Sequence, residues 1–184
     1  MISTALAFIA GTAALLWVSR HALRNPRAHG FYRFFAWECI LGLVLLNLPV
    51  WERDPFAPHQ LASWALLLVS PLLAIQAVRQ LKRQGRPDAT RSDAELFGFE
   101  RTSQLVTSGL FRYIRHPMYA ALIYLAWGAY LKDAAAPLGI ALVGAATVLL
   151  LLTALRDEAE CRAHFGAAYD AYMRTSKRFV PFVF

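Results

Sequence analysis

Residues 134–155 read AAAPLGIALVGAATVLLLLTAL and contain no Asp, Glu, Lys or Arg. A helix that crosses a lipid bilayer needs about 20 consecutive apolar residues, so this stretch of 22 is long enough. Toward the N-terminus the chain has four more apolar runs with at most one charged residue each, at residues 1–19, 34–51, 55–78 and 116–131. These five runs decide the class of the fold, because they take up more than half of the 184 residues.

The predicted fold is an all-α integral-membrane domain. The run at 116–131 is the shortest, and the neighbouring Lys132 could complete it by snorkelling toward the interface. We predict one domain over residues 1–184, with three helices in residues 1–78 and a core in residues 79–184 that contains helices 4 and 5, a polar loop and a helical tail. The predicted spans lie near residues 2–19, 33–51, 60–78, 117–131 and 137–155.

The composition agrees with a membrane protein. The chain is 58% hydrophobic and 17% charged, whereas soluble domains contain about 25% charged residues. This balance excludes a disordered chain and an ordinary cytosolic enzyme. The two cysteines do not make a disulfide scaffold, because Cys39 lies in the second run and Cys161 in the tail, so both are expected to be free thiols.

The basic residues predict the orientation in the membrane. The loop between runs 1 and 2, the connection 79–115 and the tail together hold 17 of the 19 Lys and Arg, while the other two loops hold only Arg53 and Lys132. The positive-inside rule therefore places the N-terminus outside and the C-terminus in the cytoplasm of a cell or inner membrane. The net charge of +7 therefore indicates the orientation of the protein in the membrane. We expect the basic surface to contact anionic lipid headgroups rather than nucleic acid. The oligomeric state is left open.

The sequence GLFRYIRHPMY at residues 109–119 lies at the cytoplasmic end of the fourth predicted helix. Pro117 suits the first helical position, which places His116 near the N-cap. The free N–H groups of a helix N-terminus, together with Arg112 and Arg115, predict that an anion binds here. The alternative is that these arginines only anchor the helix at the interface and that His116 only caps it.

An acidic cluster follows the fifth run, at Asp157, Glu158 and Glu160. Such a cluster could hold a cation, such as an ammonium or a sulfonium, and the rings of Tyr169 and Tyr172 could add cation–π attraction. The alternative is a solvated charged face with two interfacial tyrosines. No His/Cys cluster with metal-ligand spacing is present in the sequence, so we predict no metal site.

These two stretches resemble the integral-membrane methyltransferases that include isoprenylcysteine carboxyl methyltransferase and the phospholipid N-methyltransferases. The shared pattern is Gly-x-Tyr/Phe-Arg-x-x-Arg-His-Pro-x-Tyr, followed after two membrane helices by Glu-Glu, Phe-Gly, Tyr-x-x-Tyr and Phe-x-Pro. The resemblance covers roughly residues 79–184, and its later matches are Asp157-Glu158, Phe165-Gly166, Tyr169, Tyr172 and Phe179-x-Pro181. This chain departs from the pattern with Asp157 as the first acid and with Ala120-Ala121 in place of a Gly after the Tyr.

The resemblance implies an enzyme that uses S-adenosylmethionine in a cytoplasmic pocket formed by the loop, the last membrane helices and the tail. Arg115 and His116 would suit the carboxylate of this molecule and Glu158 its amino group, so the six predicted cofactor-binding residues are Arg115, His116, Tyr119, Glu158, Tyr169 and Tyr172. The predicted catalytic residues are Arg115, His116 and Glu158, and either of the last two could take a proton from an ammonium acceptor.

The expected acceptor is lipophilic, either an isoprenylcysteine-type carboxylate or a phospholipid amine, and would enter from the bilayer. Arg112 is predicted to orient it. Glu38, the one charge inside an apolar run, is a second candidate for substrate binding, because carboxylates inside a membrane are generally functional. The alternative for Glu38 is a simple pair with Arg33, five residues earlier.

Two other functions remain open. RDEAEC, Phe165-Gly166 and Pro181 also resemble the tail of NADPH-dependent sterol reductases, although those proteins have more spans and GLFRYIRHPMY fits the methyltransferases better. A small non-enzymatic membrane scaffold would need neither ligand.

Overall fold

The computed structural model describes residues 2–86 and 96–183. Residues 87–95 of the predicted polar loop lie outside the described residues. The described part is helical, as predicted, and an isolated parallel bridge pairs Ile114 with Lys177. Its six α-helices are α1 Ile2–Ser19, α2 His29–Asn47, α3 Pro58–Gln84, α4 Pro117–Tyr130, α5 Pro137–Phe165 and α6 Ala167–Thr175.

Three segments are long and apolar enough to cross a membrane: His29–Val50, Pro58–Gln84 and Pro137–Phe165. The other two predicted spans are shorter, since the apolar part of α1 is Ser3–Ser19 and α4 has 14 residues. The structure thus confirms three apolar helices of spanning length, while the count of five remains a prediction.

Two helices extend beyond the predicted spans. α3 continues past residue 78 to Gln84, and α5 continues past residue 155 to Phe165. A predicted span ends at the first charged residue, but a helix need not, because Lys and Arg are good helix formers and interact favourably with a helix C-terminus. The acidic cluster therefore lies on α5 itself. Gly166, at φ +57°, then separates α5 from α6.

The helices pack as two pairs, α2 against α5 and α3 against α4, with α1 against α2. Leu43, Val143 and Leu150 are fully buried between them. α3 and α4 approach closely at Gly128, where an added Cβ would lie 2.9 Å from Cγ of Leu67.

Polar side chains of α2 and α3 donate hydrogen bonds to backbone carbonyls of α4. Asn47 on α2 donates to the Ala129 carbonyl at 2.8 Å and so links α2 to α4. Ser63 and Ser70 on α3 donate to the carbonyls of Gly128 and Ala121 at 2.7 and 2.8 Å. Gln76, another amide side chain, lies on α3 and is exposed.

Lys132, beside the C-terminus of α4, is buried, with 3% of its surface exposed. Its Nζ lies 3.2 Å from the centre of the Trp64 ring and donates to Gln60 Oε1 at 3.0 Å. The aromatic ring and the amide therefore satisfy the ammonium group of Lys132, and whether this lysine snorkels toward an interface stays a prediction.

The C-terminal segment returns to the start of α4. The backbone N–H groups of Arg115 and His116 donate to the carbonyls of Lys177 and Arg178 at 2.8 and 3.2 Å. Phe179 is buried, whereas Val180, Phe182 and Val183 are exposed. This pairing fixes the stretch that carries Arg115 and His116.

Candidate functional site

A cavity lies where the ends of α3, α4 and α5 meet α6 and the segment 96–111. It contains about 830 Å³ of empty space, including its open mouth. One part of its wall is apolar, formed by Leu81, Leu105, Val106, Phe111, Met118 and Phe165. The rest is polar and aromatic, formed mainly by His29, Glu100, Arg115, His116, Tyr119, Asp157, Glu160, Tyr169 and Tyr172. A concave apolar site with a few converging polar groups is typical of small-molecule binding.

Five of the predicted site residues line this cavity together: Arg115, His116, Tyr119, Tyr169 and Tyr172. They come from the N-terminal end of α4 and from α6, so the fold brings together two stretches that are far apart in sequence. Glu158, Arg112 and Glu38 are not part of the cavity wall.

His116 is the N-cap residue of α4, and Pro117 occupies the first turn, as predicted. The imidazole is 5% exposed and stacks on Tyr119, with ring centres 5.4 Å apart. Its Nδ1 lies 3.4 Å from Asp157 Oδ2, and its Nε2 lies 3.4 Å from Glu158 Oε1. Burial lowers the pKa of His116, but the two carboxylates outweigh it and raise the pKa above its ordinary value.

Glu158 is buried and paired with two arginines. Arg115 Nε donates to its Oε1 at 2.8 Å, while Nε and Nη2 of Arg178 donate to Oε1 and Oε2 at 2.9 and 3.0 Å. Arg115 is held from a second side, because its Nη1 donates to the Ser176 carbonyl at 2.7 Å. Glu158 therefore fixes the arginine that reaches the cavity.

Asp157 is the acid of the pair that lines the cavity. Its Oδ2 accepts from the Tyr119 hydroxyl at 3.0 Å, and its Oδ1 accepts from the Cys161 thiol at 3.4 Å. Both cysteines are free, as expected. The acid pair in the sequence pointed to this position, but it did not indicate which of the two acids faces inward.

Three residues near the start of α2 complete the polar wall, namely His29, Glu100 and Glu160, while Arg33 pairs with Glu100 outside the lining. Glu160 Oε1 accepts a hydrogen bond from the backbone N–H of His29 at 2.8 Å, and Glu160 Oε2 lies within hydrogen-bond distance of His29 Nδ1, at 2.7 Å. Arg33 donates to Glu100 Oε1 at 2.6 Å. The sequence analysis did not find His29, Arg33 or Glu100 as site residues, and no local pattern could, because these contacts join residues 67 and 131 positions apart.

These acids also make a place where a cation could bind. Among residues 2–86 and 96–183, donor atoms of His29, Asp157 and Glu160 lie within 4.8 Å of one another. Nε2 of His29 is buried without a hydrogen-bond partner, 3.9 Å from Glu100 Oε2. The electrostatic character of this side is therefore suited to a positively charged ligand group.

The two predicted substrate contacts lie elsewhere. Glu38 accepts from the Thr12 hydroxyl at 2.8 Å, between α2 and α1. Its alternative pair with Arg33 does not form, because Arg33 binds Glu100. Arg112 is exposed, with its guanidinium carbon 6.0 Å from the centre of the Tyr113 ring.

The two tyrosines of α6 are buried against this cavity. The Tyr172 hydroxyl donates to the Phe111 carbonyl at 2.6 Å, and the rings of Tyr169 and Tyr172 lie 5.8 Å apart in an edge contact. Burial raises the pKa of both hydroxyls well above the ordinary tyrosine value. Both therefore stay neutral and act as aromatic walls and hydrogen-bond donors.

Comparison with known proteins identifies the family. The family model described as phospholipid methyltransferase matches residues 59–167, more than half of the chain. The matched region contains α3, α4 and α5, with Arg115, His116 and the acidic cluster. No curated protein and no solved structure matches the chain. The resemblance inferred from the motifs is confirmed, and the chain belongs to the phospholipid methyltransferase family.

Proposed function

We propose that this protein transfers a methyl group from S-adenosylmethionine to a lipophilic acceptor at the cytoplasmic face of a cell membrane. The observation that carries the proposal is the cavity, where Arg115, an acidic wall and two tyrosines surround one space inside the family region. S-adenosylmethionine has a carboxylate, an ammonium, a sulfonium and an aromatic base, so each of its parts has a matching group there.

The residues present fit this methyl donor. Arg115 would bind the carboxylate, and Asp157 and Glu160 would face the positively charged groups. Tyr169 and Tyr172 would pack against the base or the ribose. When bound, the donor supplies a methyl group already activated by its sulfonium, so the task of the protein is to align the acceptor and to exclude water.

Glu158 has a positioning role in this proposal, in contrast to the direct role expected from the sequence. Both of its oxygens are occupied by arginine donors, and it does not line the cavity. It holds Arg115 in place, as a carboxylate with two charge-assisted partners does. His116 and Arg115 remain the proposed catalytic residues, and we add Asp157.

The charge of the wall favours an amine acceptor over a carboxylate. Of the acids that line the cavity, Glu100 pairs with Arg33 and Glu160 with His29, whereas Asp157 has no arginine or lysine partner among the described residues. Like charges would repel a carboxylate here, and they would attract an ammonium. An ammonium must lose a proton before methylation. Because the raised pKa of His116 favours the protonated form of that residue, we propose that Asp157 binds the ammonium rather than removing its proton.

The apolar wall suits the lipid part of the acceptor. Leu105, Val106 and Met118 adjoin the polar residues, so a headgroup could reach Asp157 while its chain stays in contact with apolar side chains. Arg112 is exposed and follows Phe111 of the cavity wall in the chain, and we propose that it contacts the phosphate of such an acceptor. Glu38 remains a proposed contact on the membrane side, where its Oε1 is buried without a partner.

A thermal-shift experiment on the purified full chain tests the donor. S-adenosylhomocysteine at 100 times its Kd should raise the free energy of unfolding by about 2.7 kcal/mol, and NADPH should have no effect. Arg115→Ala should abolish most of this shift. Arg162→Ala is the matched control, because its ion pair with Asp170 is exposed and outside the cavity.

Two results would contradict the proposal. Stabilisation by NADPH alone would favour the reductase function. Stabilisation by neither ligand, in a protein with full helical content, would favour the non-enzymatic scaffold.

A further inference from the structure

A second concave surface runs along the outer face of α3, away from the cavity. Its lining begins with Leu72 and Ile75 and ends with Arg79 and Arg83, and it encloses about 1160 Å³ of widely open space. These residues recur every three or four positions, so they lie on one face of the helix. Leu81, on another face of α3, lines the cavity instead. We call this surface the α3 groove.

One side of the α3 groove is fixed by hydrogen bonds. Gln80 donates to the Ser108 carbonyl at 2.6 Å, and Gln84 accepts from the Ser108 hydroxyl at 2.7 Å. Gly109 lines the groove at φ +54°, and a Cβ added there would lie 2.3 Å from Nε2 of Gln80. The wall beside the two arginines is therefore built from specific contacts and closely packed.

The cationic end of the α3 groove has no acidic partner in the part of the chain that the structure describes. Arg79 and Arg83 are exposed, and within residues 2–86 and 96–183 neither is paired with a carboxylate. The arginines of the cavity region differ, because Arg115 binds Glu158 and Arg33 binds Glu100. The groove lining contains no acid in the described part of the chain. Its charge is therefore suited to an anion.

The other end of the α3 groove is apolar and exposed. Leu72 and Ile75 are 65% and 48% exposed, on a helix long and apolar enough to span a membrane. At 1.5 Å per residue, Leu72 lies about 10 Å along the axis from Arg79 and about 16 Å from Arg83. This spacing matches a lipid whose chains lie beside the leucine and whose phosphate lies beside the arginines.

We propose that the α3 groove binds one anionic phospholipid, with its phosphate on Arg79 and Arg83 and its chains along Leu72 and Ile75. This site is separate from the cavity, and it does not depend on the proposed methyl transfer. Arginine binds phosphate through paired donors, and a basic residue near an anionic membrane adds to the attraction. The positively charged group of a zwitterionic headgroup would have no acidic partner among the described residues of the groove.

A lipid titration of the full chain in detergent, followed by native mass spectrometry at physiological salt, tests the proposal. Phosphatidylglycerol should bind with a stoichiometry of one and more tightly than phosphatidylcholine with the same chains. The double variant Arg79→Gln/Arg83→Gln should weaken phosphatidylglycerol binding by about 30-fold, since each arginine near an anionic headgroup contributes about fivefold. The matched control is Lys82→Gln/Arg86→Gln, which removes the same charge from exposed residues outside the groove.

Three outcomes would overturn the proposal. Equal losses in the two double variants would mean diffuse attraction to the whole basic surface. Equal binding of phosphatidylcholine would remove the role of the anion. Binding of glycerophosphoglycerol, the headgroup without chains, as tightly as the lipid would mean a soluble anion site. Binding of S-adenosylhomocysteine, measured on the same variants, should be unchanged, so failure of one proposal is distinguishable from failure of the other.

Discussion

Adjacent acids on α5 have different environments in this protein. Successive side chains of a helix point about 100° apart, so Asp157 faces the cavity while Glu158 faces Arg115 and Arg178. Both acids contact His116 from opposite sides. The His116 imidazole therefore lies between Asp157, which faces the cavity, and Glu158, which orients Arg115.

We predict that His116 makes stability depend on pH near neutrality. Its pKa is raised in the folded state, so its contribution is complete below the unfolded value of about 6.5 and is lost as the pH rises through the folded pKa. The Tm of the wild type should therefore fall as the pH rises above about 6.5. His116→Gln should remove this part of the pH dependence, and the exposed His164→Gln should leave it intact. An identical Tm profile for the wild type and His116→Gln would contradict the assignment.

The sequence predicted the local part of the site and missed the distant part. Arg115, His116 and Tyr119 lie within one motif at a helix start, so spacing alone indicated that they act together. His29 and Glu100 reach the cavity only through the packing of α2 on α5 and through the segment before α4. A buried ion pair between residues far apart in the chain leaves no periodic signal in the sequence.

Among the helices, the short α4 is held most closely. Its carbonyls accept hydrogen bonds from Asn47, Ser63 and Ser70, and α3 packs directly on Gly128. Since His116 is the N-cap residue of α4, the packing of α3 on α4 also sets the position of the site.

We predict that Gly128→Ala forces α3 and α4 apart. The new Cβ would lie 2.9 Å from Leu67, and overpacking of this kind costs about 1–3 kcal/mol. The loss should be measured as a lower Tm in detergent. Gly144→Ala on α5 is the control, because nothing lies within 4 Å of its added Cβ, and its Tm should not fall. Equal Tm values for the two variants would mean that the close packing of α3 on α4 at Gly128 does not limit the size of the side chain there.

At the level of elements, the sequence predicted where helices exist better than where they end. All five apolar runs became helices, but α3 and α5 continue beyond their first charged residues. A first charged residue indicates where a helix leaves apolar surroundings, but the backbone hydrogen bonds of the helix can continue beyond that residue. The place where α5 does end, Gly166, was visible in the sequence, because glycine readily adopts the positive φ found there.

The whole molecule has two chemically different ends. The cavity end carries Arg115 and the acidic wall, together with most of the basic residues, whereas the opposite end holds Lys132 against Trp64. This asymmetry is the basis for the proposed orientation, with the cavity open to the cytoplasm.

We predict that a C-terminal fluorescent-protein fusion is bright and a C-terminal alkaline phosphatase fusion is inactive, as a cytoplasmic terminus requires. A phosphatase inserted at Asp54, between α2 and α3, should be active outside. The opposite pattern of activity at both sites would contradict the orientation, and equal signals at both would contradict the number of spans.

The most direct test of the central claim is methyl transfer itself. The full chain in lipid vesicles should move labelled methyl from S-adenosylmethionine to phosphatidylethanolamine more readily than to a farnesylcysteine carboxylate. Arg115→Ala should abolish the transfer, and Arg162→Ala, which alters only an exposed ion pair, should retain it. Absence of label from both acceptors, in a wild-type protein that still binds S-adenosylhomocysteine, would contradict a lipophilic acceptor of either class. Equal label in the wild type and in Arg115→Ala would contradict the placement of the donor in the cavity.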